Sequence, residues 1–436
     1  MQAGPDLDGS QERSVPGSTT PSQRYQSLGY RTKRVLLGPP FKTSQLVHER
    51  ITKRVALAVF SSDPISSTAY ATEEILRVVV LASAIFLTLP LSVAIAGLLF
   101  ILVTSYRQVI DAYPTAGGAY VVSRDNFGNG VAAVAGAALL IDYVLTVAVS
   151  VSSGVGNMIS AFGHPNPLEG WQVEIAVGFV LLLTWGNLRG IREAGRMFAL
   201  PTYLYVTCMG SVVIVGIVRV LNGSIDKVSY SATDQAGLIG HNSTLQAVTL
   251  FLVLRAFASG VTALTGTEAV SNGVSAFRRP EARNAKTTLL TMAFIMGSLF
   301  VGISFLAGHL GVKPFEDEVP TVVAQLGQHV LGPSPMGHAF FLLTQGATLM
   351  ILVLAANTSY SGFPLLASFA AEDALLPRQL RKRGHRLVFS NGIVVLSAAA
   401  ILLIVAFHAS TSALIPLYAI GVITSFTLSQ AGMTRR

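Results

Sequence analysis

Ten apolar runs alternate with polar connections along this chain, near residues 55–78, 82–104, 130–161, 172–187, 198–220, 247–275, 287–310, 338–369, 391–408 and 413–430. A helix needs about 20 apolar residues to cross the hydrocarbon core of a bilayer. The pattern therefore predicts an all-α polytopic membrane protein of about ten transmembrane helices. Two runs are interrupted. The first carries Ser61-Ser-Asp63-Pro64-Ile-Ser-Ser67, and the sixth carries Thr265-Gly-Thr-Glu268-Ala-Val-Ser-Asn-Gly273. Serine, threonine, proline and glycine weaken a helix, and a carboxylate in hydrocarbon is costly enough to mark a site by default.

The interruptions fall at matching places. Ten spans divide into two units of five, and a unit with an odd number of spans inserts in the opposite sense to its copy. Spans 1–5 (55–220) and 6–10 (247–430) are thus predicted to form an inverted repeat, joined by a polar loop at 221–246. Paired breaks in the first helix of each unit point to a substrate site between the repeats near mid-membrane. Between spans 2 and 3, Tyr113-Pro-Thr-Ala-Gly117-Gly118-Ala-Tyr120 is too short to span and too rich in breakers for a plain helix; it reads as an interfacial or re-entrant element.

Composition agrees: 51% of residues are hydrophobic and 12% charged, against roughly 25% charged in soluble domains. Cys208 is the single cysteine, which excludes an intrachain disulfide framework. Residues 1–54 are polar and basic with no signal-peptide pattern, and read as a disordered cytoplasmic tail. The net charge of +8 does not indicate nucleic acid. Of the 30 Lys and Arg residues, 25 lie in the tail, in alternate connections, and at residues 431–436. By the positive-inside rule both ends are cytoplasmic, which suits a multi-pass protein of the cell membrane. The eight histidines show no metal-ligand spacing, and no cofactor is expected.

Few acids lie within the spans: Asp63, Glu73, Glu74, Asp142 and Glu268. Asp63 and Tyr70 are seven apart, two turns on one face if the helix resumes after Pro64. Asp142, Thr146 and Ser150 form a polar stripe on the third span, with Tyr143 beside it. Carboxylates with tyrosine and threonine oxygens make a hard, oxygen-rich site suited to an alkali cation or a proton. Arg255 either neutralises an acid or snorkels to an interface. Asn357-Thr-Ser-Tyr360 is either a second cation site or packing, and Tyr418 either a ligand and gate or an interfacial anchor.

Four segments carry a resemblance over about residues 34–436: Phe60-Ser-Ser-Asp-Pro-Ile-Ser-Ser-Thr-Ala-Tyr-Ala-Thr-Glu-Glu-Ile75, Tyr113-Pro-Thr-Ala-Gly-Gly-Ala-Tyr120, Thr262-Ala-Leu-Thr-Gly-Thr-Glu-Ala-Val-Ser-Asn-Gly273 and Leu414-Ile-Pro-Leu-Tyr418. With them the chain resembles the amino acid–polyamine–organocation superfamily, and within it the KUP/KimA-type potassium–proton symporters. The resemblance implies a five-plus-five inverted-repeat, LeuT-like fold with broken helices 1 and 6, working by alternating access. It implies potassium ligands at Asp63, Tyr70, Asp142, Tyr143, Thr146, Ser150, Thr265 and Tyr418, with Thr262 as a neighbouring candidate. It also implies proton coupling through Asp63, Asp142 and Glu268. Family members have two further helices and commonly a cytosolic C-terminal domain, so the stop at residue 436 reads as a truncation, and the homodimer of the family is left open.

The main rival is an amino-acid permease of the same fold. Such proteins hold the substrate carboxylate on bare N–H groups at a glycine-rich break in helix 1, whereas this helix has no glycine between Phe60 and Leu76 and has an acid at its break. An intramembrane aspartyl protease using Asp63 and Asp142 lacks the accompanying glycine and leaves the paired breaks unexplained. A passive channel lacks a carbonyl-filter motif.

Overall fold

The computed structural model describes residues 51–113, 118–189, 195–240, 246–381 and 389–436. The predicted tail therefore lies outside the described residues as far as residue 50, as do residues 114–117 of the predicted re-entrant element. Among the described residues the chain is helical apart from turns and two isolated bridges, Ile51 with Phe277 and Leu238 with Phe315. Eight helical segments are long and apolar enough to cross a membrane. A ninth apolar helix is shorter, Ser390–Ala406, and the remaining predicted span is the first, which is broken.

That first span consists of α1 (Lys53–Ser66), a 3-10 turn (Ser67–Ala69) and α2 (Ala71–Val79). The sequence places the break around Asp63 and Pro64; the structure places it about a turn later. The helix runs through Pro64, and Tyr70 leaves helical geometry with φ −126°. The reason is local. Proline removes one backbone donor, but hydroxyls fold back onto the carbonyls: Ser61 onto Leu57 O, Ser62 onto Val59 O, Ser66 onto Asp63 O and Ser67 onto Pro64 O. The helix ends where those bonds turn 3-10. Asp63 and Tyr70 are thus not on one continuous helical face.

Spans 2–5 follow as α3 (Thr88–Ala112), a short α4 (Ala119–Phe127) in the connection, α5 (Asn129–Ser160), α6 (Gln172–Leu188) and α7 (Gly195–Leu221). After a small loop helix, α8 (Ala232–Gly237), the sixth span is broken where predicted. It comprises α9 (Leu250–Gly260), a 3-10 turn (Val261–Leu264), the four-residue α10 (Ala269–Asn272) and a final 3-10 turn (Val274–Ala276). Then come α11 (Glu281–Leu310), the loop helix α12 (Val322–Leu331), α13 (Pro335–Glu372), α14 (Ser390–Ala406) and α15 (Thr411–Arg435).

α5 packs along α13 and α15, and α11 along α3 and α1, so the two broken spans are enclosed by long intact helices. No water-driven collapse operates between helices in lipid, so close contact depends on small residues. On the α7–α11 seam, a Cβ at Gly302 would sit 2.4 Å from Val213 Cγ1. Polar side chains tie the periphery: Tyr360 and Thr184 hydroxyls lie 3.2 Å apart, Thr184 and Ser397 hydroxyls 2.7 Å apart, and Asn187 donates to Asn357 at 2.6 Å. The Asn357–Tyr360 motif is therefore used to pack α6, α13 and α14. Arg255 is exposed, which removes it from the role of neutralising an internal acid.

Replacing Gly302 with Val should overfill the α7–α11 seam at a cost of about 1–3 kcal/mol. A lower thermal midpoint of the detergent-solubilised protein, with an unchanged elution volume, is the expected reading.

Candidate functional site

The two breaks meet. Ser67, in the first, donates to Ala263 O in the second at 2.8 Å. Gly266 takes a left-handed φ of +73°, and the carboxylate of Asp63 packs directly on it: a Cβ there would lie 2.5 Å from Asp63 Oδ2. Only glycine serves both demands, a positive φ and a surface bare enough for a side chain to lie against. This contact brings Asp63 of α1 beside the backbone of the sixth span.

Around it the structure gathers most of the residues singled out in the sequence. Asp63 and Asp142 each lie close enough to Glu268 for their charges to interact, as they do with one another. Tyr70 is in hydrogen-bonding contact with Thr265. Thr146 and Tyr418 hydroxyls are 2.9 Å apart, joining α5 to α15, and Thr146 also bonds back to Asp142 O at 2.9 Å. Tyr418 is 1% exposed, which excludes an interfacial anchor. Gly421, one turn on, lets α15 lie against the backbone of Asp142.

Three residues sit at the margin. Thr262 is buried with its hydroxyl bonded to Ser259 O at 2.7 Å, and Ser150 is buried one turn beyond Thr146. Tyr143 is in contact with Asn272 and against Gly362, within reach of the charges of Glu268 and Asp142. Asn272 was not foreseen. Its signal was present, an amide inside a broken span, but nothing in the sequence pairs it with Tyr143.

The electrostatics are unusual for an apolar bundle. Asp63 Oδ1, Asp142 Oδ1 and Glu268 Oε2 are buried and have no hydrogen-bond partner among the described residues. No basic side chain is among the charges acting on these three acids. A buried carboxylate without donors must hold a proton or a cation. The oxygens present, three carboxylates and the hydroxyls of Tyr70, Thr146, Thr265 and Tyr418, are hard donors that suit an alkali cation. Elsewhere, His164, Glu169 and Asp317 bring potential ligand atoms within 4.8 Å of one another, a cluster the spacing of the histidines had not suggested. There Glu169 Oε1 already receives the Asn166 N–H at 3.0 Å and lies 2.9 Å from His164 Nδ1, so the group reads as a loop brace.

Two broken helices that meet around buried acids, enclosed by intact spans, are the arrangement of the broken-helix class of membrane folds. Residues 53–434 match the amino acid permease family, and the chain belongs to that family. The potassium transporter KimA of Bacillus subtilis (strain 168) is 44% identical over 403 residues, 92% of this chain and 64% of that protein. The branched-chain amino acid permease BcaP of Lactococcus lactis subsp. cremoris (strain MG1363) is 26% identical over 321 residues, 69% of this chain and 64% of that protein. The chain thus spans a little under two thirds of the length of each relative.

Gly266→Ala is expected to force a non-glycine residue into a left-handed conformation and push the Asp63 carboxylate aside. The combined cost is about 2–4 kcal/mol. Thermal unfolding in detergent should show it as a larger loss than an alanine at Gly97, where a Cβ meets nothing within 4 Å.

Proposed function

We propose that this protein is a secondary active transporter that imports potassium across the cell membrane by alternating access, with protons as the coupling ion. The observation that carries this reading is the set of buried, donorless carboxylate oxygens on Asp63, Asp142 and Glu268, where the two broken spans meet. Asp63, Tyr70, Asp142, Thr146, Thr265 and Tyr418 supply the cation site, with Ser150, Thr262 and Tyr143 lining its approaches. Asp63, Asp142 and Glu268 exchange protons against the cation, because burial favours the neutral acid and a bound cation favours the carboxylate. The 44% identity with a potassium transporter supports the same substrate. The distribution of Lys and Arg orients both described ends towards the cytoplasm.

The family name and the similarity to a branched-chain amino acid permease favour a second reading, proton-coupled amino-acid uptake. The two readings separate cleanly in proteoliposomes. Labelled rubidium is expected to enter, faster with an inward proton gradient, while a panel of labelled amino acids stays out. Asp63→Asn should abolish rubidium entry. Amino-acid uptake without rubidium flux would establish the permease instead.

Glu268→Gln keeps the shape of the side chain and cannot lose a proton. It is expected to leave rubidium entry that no longer responds to the proton gradient, measured as the ratio of initial rates with and without that gradient. A ratio equal to that of the unaltered protein would remove Glu268 from the coupling.

A further inference from the structure

Beyond Tyr70, towards the end of the first span opposite the start of α1, lies a second group of buried acids that the central site does not use. Glu73 and Glu74, on α2, are each 6% exposed. They line a small cavity with Tyr70, Ser152, Ser153 and Glu318. Its volume of about 20 Å³ holds one water-sized particle, which is also the size class of a dehydrated potassium ion.

The groups around this cavity are only partly satisfied. Glu73 Oε2 accepts the Val322 N–H at 3.0 Å and so caps α12. Glu73 Oε1 has no hydrogen bond, and Arg77 Nη1 stands 4.0 Å from it. The Arg77 guanidinium is turned outward, donating to Phe315 O at 2.7 Å and to Glu316 O at 3.2 Å. Ser152, 4% exposed, has a buried hydroxyl with no partner among the described residues. Glu74 has no ion pair or hydrogen bond among them either; the charges that act on it are Arg77, Glu318 and Glu73. Glu318 is spoken for, since its carboxylate takes the Thr411 N–H at 2.8 Å and the Ser412 N–H at 3.0 Å at the start of α15.

Three carboxylates, those of Glu73, Glu74 and Glu318, thus line one cavity with one guanidinium nearby, leaving an excess of negative charge, and the free oxygens there belong to carboxylates and hydroxyls. We propose that this cavity is a second cation site, formed by Glu73, Glu74 and Ser152, that holds a monovalent alkali cation one step outside the central site. Oxygen-only donors suit a hard cation, and the potassium reading of the central site makes that cation an alkali ion. Tyr70 forms the partition between the two sites: it lines this cavity and contacts Thr265 in the central cluster. On the other side lies a wider cleft lined by Glu169, Glu316, Asp317 and His408, whose acids draw cations towards the entrance. The inference rests on the cation reading of the central site and adds a staging position to it.

Equilibrium binding of labelled rubidium to the purified full chain tests it. Asp63→Asn disables the central site and should leave rubidium binding that potassium displaces and choline does not. Adding Glu74→Gln should abolish that residual binding. Adding Ser152→Ala instead, a milder change that keeps all the charges, should weaken it about tenfold, the loss of one neutral ligand. If Asp63→Asn binds no rubidium while the unaltered protein does, there is no second site and the cation reading stands. Residual binding that neither Glu74→Gln nor Ser152→Ala weakens places the ion elsewhere and overturns the proposal. An unaltered protein that binds no rubidium overturns both readings.

Discussion

The contact between the Asp63 carboxylate and the bare backbone at Gly266 fixes where everything else in the bundle must be. A helix buried among helices satisfies its own backbone and leaves nothing for an ion. To expose backbone carbonyls at mid-bundle, two helices must be broken at the same depth and each break sheltered by the other. Ser67 donating to Ala263 O and Asp63 lying on Gly266 accomplish that mutual shelter. The long spans α5, α11 and α13 are the walls this requires, since broken segments as short as the four-residue α10 have no stability of their own.

Hydroxyls satisfy carbonyls along the first break. Pro64 would by itself kink or end α1, yet four serines return hydrogen bonds to carbonyls at positions three and four earlier. The serines that signalled a break in the sequence thus bond within the helix, which continues through Pro64. Asp63 is held in regular helix, with a defined side-chain direction, and the irregular backbone begins only at residues 67–70. The sixth span turns hydroxyls back in the same way, Thr262 onto Ser259 O and Thr265 onto Thr262 O, yet it breaks at Gly266, whose left-handed φ of +73° no α-helix accommodates.

Hydropathy was enough to place the apolar helical segments, eight of which among the described residues are long enough to cross a membrane, because the length and apolarity of a crossing helix are imposed by the bilayer and owe little to tertiary detail. The acids were legible for the same reason: nothing apolar explains Asp63, Asp142 or Glu268. The depth of the first break was not, since it turns on side-chain rotamers that a composition scan does not see. Nor were the loop elements. Glu318 looks like an ordinary acid in a polar connection, and only the fold shows that it caps α15 while Glu73 caps α12. Asn357 to Tyr360 reads from the sequence as either a cation site or packing, and only the fold shows it joining α6, α13 and α14.

Charge balance bears on the substrate more than shape does. An amino acid brings its own carboxylate, which needs donors or a positive charge. At the central cluster it would meet three acids, with no basic side chain among the charges acting on them and with Asp63 occupying the ground beside Gly266 that bare N–H groups offer elsewhere. A cation reverses every one of these interactions, from repulsion to attraction, without moving an atom. The acids of α2 extend the same sign of potential outward past Tyr70, and the stripe on α5 continues it through Ser152 and Ser153 to Asn157 and Ser160, which hold Thr321 at 2.9 and 3.0 Å. On the cation reading proposed for the central site, the acids on both sides of Tyr70 favour a small cation over a zwitterion outside the centre as well as at it.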